Sequence, residues 1–274
     1  MPISALLLAL AAAVVHASWN LLLSGAEDTH SASAVALAAG VLVFAPLAAL
    51  TWRLDPAALP YAGASSALEV LYLVLLATGY SRAAMSFIYP IARGSAPVIV
   101  LAISVVALGV SASGLEAGGV VLIAVGIVLV RGVRGAERPR DLVLALAVGA
   151  CIASYTLVDK HGIAHSAPIA YLEVVFGVTA AAYLAGVSRV RGGPAVRSAV
   201  TTPTLIAGVG FFGSYALTVA ALKLASAASV AAVRESSVLI AAVALTVGGR
   251  ERISPGRMAG AAAIVAGIAL ISLG

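Results

Sequence analysis

Two arginines, Arg93 and Arg234, stand inside long apolar stretches of a 274-residue chain. The first lies in the run from Ala84 to Pro97, the second in the run from Ala225 to Val238. A charge at the centre of a membrane helix costs about 2.5–3.5 kcal/mol on insertion scales, so it needs a partner or a purpose. A guanidinium grips carboxylate or phosphate through two parallel hydrogen bonds, which makes an anionic group on a ligand its natural complement. Tyr89 lies one turn before Arg93 and Ser86 another turn back, with Pro90 and Pro97 on either side of the arginine. That face reads as the wall of a binding cavity. The competing reading is a buried ion pair with Glu69, Glu173 or Glu235 that locks helices together. Arg234 adjoins Glu235, but neighbouring positions point about 100° apart on a helix, which leaves Glu235 free to face Arg93 instead. For Arg234, substrate contact and structural bridge stay equally open.

Further polar groups interrupt the apolar background. Glu69 has Ser65 and Tyr72 on its own helical face, and Glu173 follows Tyr171 closely. Desolvation favours the protonated form of a carboxylate, so both acids are candidates for proton coupling, with a salt bridge to an arginine as the alternative. His16, Trp19 and Asn20 share one face of the first stretch. Trp19 is placed to stack on a substrate or to pack. Asn20 is read as an interhelical hydrogen bond worth about 0.6 kcal/mol. The expected substrate-binding set is therefore Arg93, Tyr89, Arg234, Trp19, Tyr72 and Ser86. The expected proton-coupling or charge-partner set is Glu69, Glu173, Glu235 and His16. No catalytic residue, cofactor or metal is expected. Asp159-Lys160-His161 and His165 read as a solvated loop at a membrane boundary.

These residues are positioned by an integral membrane protein. The chain is 62% hydrophobic and 10% charged, with a mean hydropathy of +1.11, which excludes a soluble domain of this length. Ten apolar stretches, 3–23, 31–51, 61–80, 84–106, 114–131, 142–160, 167–187, 203–223, 225–247 and 257–273, are each long enough to cross a bilayer core of about 30 Å. No period of two marks a barrel, so the spans are helices. The first stretch has no Lys or Arg before it and runs to spanning length, unlike a cleaved signal peptide. The single cysteine, Cys151, excludes an internal disulfide or a Cys-cluster metal site. The net charge of +5 does not imply nucleic acid, because the arginines fall between spans, where they meet lipid headgroups. The expected partners are the lipid bilayer and a small-molecule substrate, with a homodimer left open. Loops after odd-numbered spans carry eleven Lys and Arg and loops after even-numbered spans three, which places both termini outside.

The chain also repeats itself. Arg93 pairs with Arg234, Ser113 with Ser254, Gly119 with Gly260 and Gly126 with Gly267, each 141 residues apart. Ala17-Ser-Trp-Asn20 matches Ala153-Ser-Tyr-Thr156 at 136, and Tyr72 matches Tyr215 at 143. An odd number of spans per half inverts the second half relative to the first, which is the architecture of secondary transporters with a midplane site. Both arginines fall about nine residues, or roughly 14 Å, into their stretches. The glycine pairs read as close helix packing without chemistry.

His16-Ala-Ser-Trp-Asn20, Tyr89-Pro-Ile-Ala-Arg-Gly-Ser-Ala-Pro97, Tyr155-Thr-Leu-Val-Asp159 and Val233-Arg-Glu-Ser-Ser237 together resemble EamA-type proteins of the drug/metabolite transporter superfamily. The resemblance covers essentially the whole chain. It implies ten helices in two inverted five-helix repeats, 1–135 and 136–274, moving small metabolites across the inner membrane. The most similar subgroup includes proteins linked to phosphonate utilisation. This chain departs from that subgroup at Ser24, where a basic residue is common, and at Val110, where a Glu is usual; the second-half counterpart, Glu251, is kept. Family members are often drawn with both termini in the cytoplasm, against the charge count.

The leading expectation is a secondary transporter of a small anionic or zwitterionic metabolite (amino acid, carboxylate or phosphonate type) working by alternating access. No P-loop motif is present, so energy would come from a gradient or from exchange. A channel with a symmetry axis along its pore does not fit an axis in the membrane plane. The alternatives are a flippase for a lipid-linked substrate and, further off, an intramembrane enzyme. The latter lacks an HExxH, a Gly-x-Ser-x-Gly or a second intramembrane Asp.

Overall fold

The computed structural model describes residues 2–108, 113–131, 138–222, 224, 230 and 233–273. Val110, Arg134, Lys223 and part of the ninth apolar stretch lie outside the described residues, as do the side chains of Arg131 and Lys160. In a bilayer, backbone donors and acceptors must be satisfied within the segment, and an apolar chain meets that demand as α-helix. The described chain accordingly forms α1 (Ile3–Ser24), α2 (Thr29–Leu50), α3 (Leu59–Arg82), α4 (Met85–Leu108), α5 (Gly114–Arg131), α6 (Pro139–Gly162) and α7 (Pro168–Arg191). It continues through a short α8 (Gly193–Ser198), α9 (Thr202–Leu222), α10 (Ser237–Val247) and α11 (Pro255–Leu273). Six of these helical stretches are long and apolar enough to cross a membrane, and no strand occurs among the described residues. The protein is an all-helical, multi-pass membrane protein.

Local sequence explains the ends. Asp28 accepts from the backbone of His30 at 3.2 Å and of Ser31 at 3.3 Å, satisfying two of the donors that open α2. α3, α6 and α7 each carry proline in their first turn, where its missing N–H is costless. α4 stays helical through Pro90 and Pro97, whose rings withhold donors from the carbonyls of Ser86 and Arg93.

Two expectations are corrected. The stretch 225–247 is not one continuous helix: Val233 and Arg234 are helical, Glu235 and Ser236 form a turn, and α10 starts at Ser237. Ser236 Oγ donates to the Val233 carbonyl at 2.6 Å, the local competition with the helical ladder that serine offers. Asp159-Lys160-His161 is not a solvated loop but the last turns of α6, where the Tyr171 hydroxyl donates to Asp159 Oδ1 at 2.9 Å. α8 lies between the expected spans and had no counterpart among the ten stretches.

Packing runs through small residues. α5 lies against α11 with Gly119 opposite Gly267 and Gly126 opposite Gly260: a Cβ on Gly119 would stand 2.6 Å from the Gly267 carbonyl oxygen, and one on Gly126 2.7 Å from that of Gly260. Only glycine permits that approach. α3 and α7 are joined by Ser66 Oγ, which donates to the Val175 carbonyl at 3.1 Å. One end of the molecule gathers residues 24–25, 83–85 and 250–251, with Arg82 Nε 3.3 Å from Asp141 Oδ1 nearby in the chain. A second connection site joins 53–55 to 165–167 through a Leu54–Ser166 bridge and an Asp55 N–H to His165 carbonyl bond of 3.1 Å.

Candidate functional site

The interior holds a polar cluster built from five helices, α1, α3, α4, α6 and α9, and the broken one. Arg93 on α4 meets Glu235 in the turn before α10: Nε donates to Oε2 at 3.0 Å, and Nη2 bonds Oε1 as well. Both side chains are about one-tenth exposed. Of the three acids weighed as partners for Arg93, the fold selects Glu235. Arg234, one residue before it, has no carboxylate within ion-pair distance among the described residues and instead lies 5.8 Å from the centre of the Tyr215 ring. The two neighbouring side chains thus serve different partners, one at the last helical residue and one in the turn that follows.

Tyr89, one turn before Arg93, donates to Ser237 Oγ at 3.0 Å, tying α4 to the start of α10. His16 stacks at 6.3 Å from Tyr89 and edge-on at 5.0 Å from Trp19. Trp19 is 1% exposed and lies edge-on to Phe211, so its ring is in the packed interior between α1 and α9. Tyr72 meets Tyr155 at 5.8 Å, and the Tyr155 and Tyr215 hydroxyls are 3.4 Å apart. Asn20 accepts from Tyr80 at 2.7 Å and donates to the His16 carbonyl at 3.0 Å, a bridge between α1 and α3 as expected of it.

Not every expected residue converges. Ser86 is buried but sits at the first turn of α4, where its N–H donates to Glu251 and its hydroxyl accepts from Arg257, away from the arginine pair. Glu69 is 2% exposed with Oε2 unpartnered, and it makes no ion pair with either arginine. Glu173 is half-buried, also with an unpartnered Oε2. His16 Nδ1 and Trp19 Nε1 are buried without partners too. Buried polar atoms are nearly always paired, so each of these atoms marks a point where water or a ligand can supply the missing bond. Sequence reasoning passed over Tyr155, Tyr215 and Ser237 as site residues. The signal was present, since Tyr72 and Tyr215 occupy matching places in the repeat.

The structure thus defines a multi-pass helical membrane protein with a guanidinium–carboxylate pair and aromatic side chains in its interior. Residues 140–273, just under half of the chain, match the model of the EamA-like transporter family, which belongs to the drug/metabolite transporter superfamily. The resemblance read from the motifs is thereby borne out, and the family is one of transporters rather than enzymes. A solved structure described as "Crystal structure of protein" superposes with a TM-score of 0.63 at 17% identity, covering 98% of this chain and 98% of its own. At that identity the likeness speaks for the fold alone. No curated protein matches the chain by sequence.

Proposed function

We propose that the protein is a secondary transporter that carries a small anionic or zwitterionic metabolite across the inner membrane by alternating access. In this reading the chain has ten spans in two inverted five-helix repeats, 1–135 and 136–274. The reciprocal glycine contacts support it: Gly119 meets Gly267 while their repeat counterparts, Gly260 and Gly126, meet each other, as a twofold axis in the membrane plane requires. The match of the solved structure over both halves of the chain supports it too.

One observation carries the substrate class. Arg93 is neutralised by Glu235, and Arg234 beside it lies against an aromatic face with no carboxylate within ion-pair distance among the described residues. An unneutralised guanidinium in a membrane interior is costly, and an anionic group on the substrate offsets that cost. Tyr89, Tyr72, Tyr155 and Tyr215 surround the position with aromatic surface and hydroxyl donors, and His16 and Trp19 close its α1 side. Glu69 is the candidate proton carrier, because its buried carboxyl oxygen Oε2 has no hydrogen-bond partner and no ion pair among the described residues. The test is a thermal-shift screen of purified protein against carboxylates, phosphonates, amino acids and organic cations, on wild type and Arg234→Gln. Stabilisation by one anionic class that disappears in the variant supports the assignment. Stabilisation by cations alone, or by anions equally in both proteins, defeats it.

A further inference from the structure

Arg250 and Glu251, neighbours in the segment between α10 and α11, each hold the end of a different helix. Glu251 accepts the N–H of Met85 at 2.9 Å and that of Ser86 at 3.3 Å, so its carboxylate sits on the opening turn of α4. Arg250 Nη1 donates to the Leu21 carbonyl at 2.8 Å, in the last turn of α1. Each charge has the sign that complements the helix end it meets, an anion at an N-terminus and a cation at a C-terminus. Both contacts are charge-assisted hydrogen bonds. Gly25 admits the arginine, since a Cβ at that position would stand 3.0 Å from Nη1. From α11, Arg257 Nη1 donates to Ser86 Oγ at 3.3 Å, adding a second tie to the same turn of α4.

These contacts tie the end of α1 and the start of α4 to the segment between α10 and α11. They border a cavity of about 400 Å³ lined also by Ser24, Tyr80, Ala84 and Leu245. Beneath it Tyr80 is bonded to Asn20, and α4 continues within two turns to Tyr89 and Arg93. The helix that Glu251 holds is therefore the helix that carries the arginine pair.

The arrangement is one-sided in the sequence. At the repeat spacing of 141 the counterparts of Arg250 and Glu251 are Gly109 and Val110, and at 136 the counterpart of Leu21 is Leu157. Gly and Val carry no charge with which to repeat either bond.

We propose that Arg250 and Glu251 form a charged latch between α1 and α4 that biases the resting protein toward the state closed at that end. Opening there requires both bonds to be given up, whereas the matching positions of the other repeat, Gly109 and Val110, have no charged side chains to form such bonds. This rests on the alternating-access reading given above.

The test is thiol accessibility. In a Cys151→Ala background, Ser237→Cys places a single thiol beside Tyr89. Its reaction with a membrane-impermeant maleimide is timed from each side, in right-side-out and inverted vesicles, with the latch intact and in Arg250→Gln and Glu251→Gln. Release is expected to raise labelling from the latch end at least tenfold, equivalent to about 1.4 kcal/mol, and to lower it from the other end. Where a variant does not survive purification, Arg250→Lys and Glu251→Asp, which keep the charge and shorten the reach, give the same comparison. Unchanged labelling in a folded variant overturns the latch, and so does an equal rise from both sides, which would report a loosened fold. No substrate is needed for this readout. Anion transport is measured separately in the protein with native Ser237: a shifted labelling pattern with no transport there keeps the latch and sinks the transport reading, while transport with unshifted labelling does the reverse.

Discussion

Arg93 and Glu235, 142 residues apart in the chain, form a two-pronged ion pair at which the first half of the molecule grips the second. The pair joins an unbroken proline-bearing helix to the turn that interrupts another. Removing one member strands the other charge in a largely buried place, at a cost of about 3–5 kcal/mol. Arg93→Gln and Glu235→Gln are each expected to lower the melting temperature in detergent markedly. The double variant should recover most of that loss. Single variants that melt with wild type would show that the pair holds nothing together.

Arg234 should behave differently. Its contact with the Tyr215 ring is a cation–π interaction worth about 0.5–2 kcal/mol. Arg234→Gln is therefore expected to cost the ligand-free protein far less stability than Arg93→Gln while removing anion-dependent stabilisation. A loss of stability equal to that of Arg93→Gln would reassign Arg234 to the scaffold.

Glu69→Gln keeps the size of the side chain and removes its capacity to exchange a proton. In proteoliposomes the variant is expected to retain substrate exchange and lose accumulation driven by a pH gradient. Wild-type accumulation in Glu69→Gln would remove Glu69 from the coupling step.

Gly118 and Gly119 offer a paired control in α5. A Cβ on Gly118 meets nothing within 4 Å, whereas on Gly119 it meets the α11 backbone at 2.6 Å. Gly118→Ala is expected to be neutral or to stabilise by up to about 1 kcal/mol through helix propensity. Gly119→Ala should destabilise by about 1–3 kcal/mol as the two helices are forced apart. Thermal melts of the two variants decide it.

Asp28 gives a pH dependence outside the spans. Burial pushes its carboxyl up, but the Ser31 hydroxyl and N–H, Arg191 and the His30 N–H together outweigh this and hold it below the usual carboxylate range. A depressed folded value means the stabilisation is complete above the unfolded carboxylate value of about 3.9 and is lost as pH falls through the lower folded one. Asp28→Ala should cost about 1 kcal/mol near neutrality. The gap between the two proteins should narrow below about pH 4, and a gap constant down to pH 3 would show that the charge of Asp28 is irrelevant to the cap.

The class of protein was legible from composition alone, because no soluble fold tolerates so few charges. The helices were legible to within a few residues at most ends, since apolar runs in lipid have one way to satisfy their backbone. Arg93, Tyr89 and Glu235 were visible as isolated polar groups where polarity is expensive. The break before Ser237 was not, because Val233-Arg-Glu-Ser-Ser237 carries neither glycine nor proline, and a serine bonding back to its own helix leaves no pattern in spacing. Asp159 was misread for a related reason: Lys and His beside it suggested water, and only the approach of Tyr171 from α7 gave it a buried partner.

The sequence by itself determined that two arginines would lie in the interior of a helical membrane protein, for the energetic cost of such charges makes them conspicuous. Which carboxylate answers which arginine was decided only by the tertiary structure. Three acids were equally eligible by chemistry, and ion pairing falls off within a few ångströms. The choice of Glu235 for Arg93, and the placement of Arg234 against Tyr215, depend on how α4 and α9 pack around the segment that carries both residues.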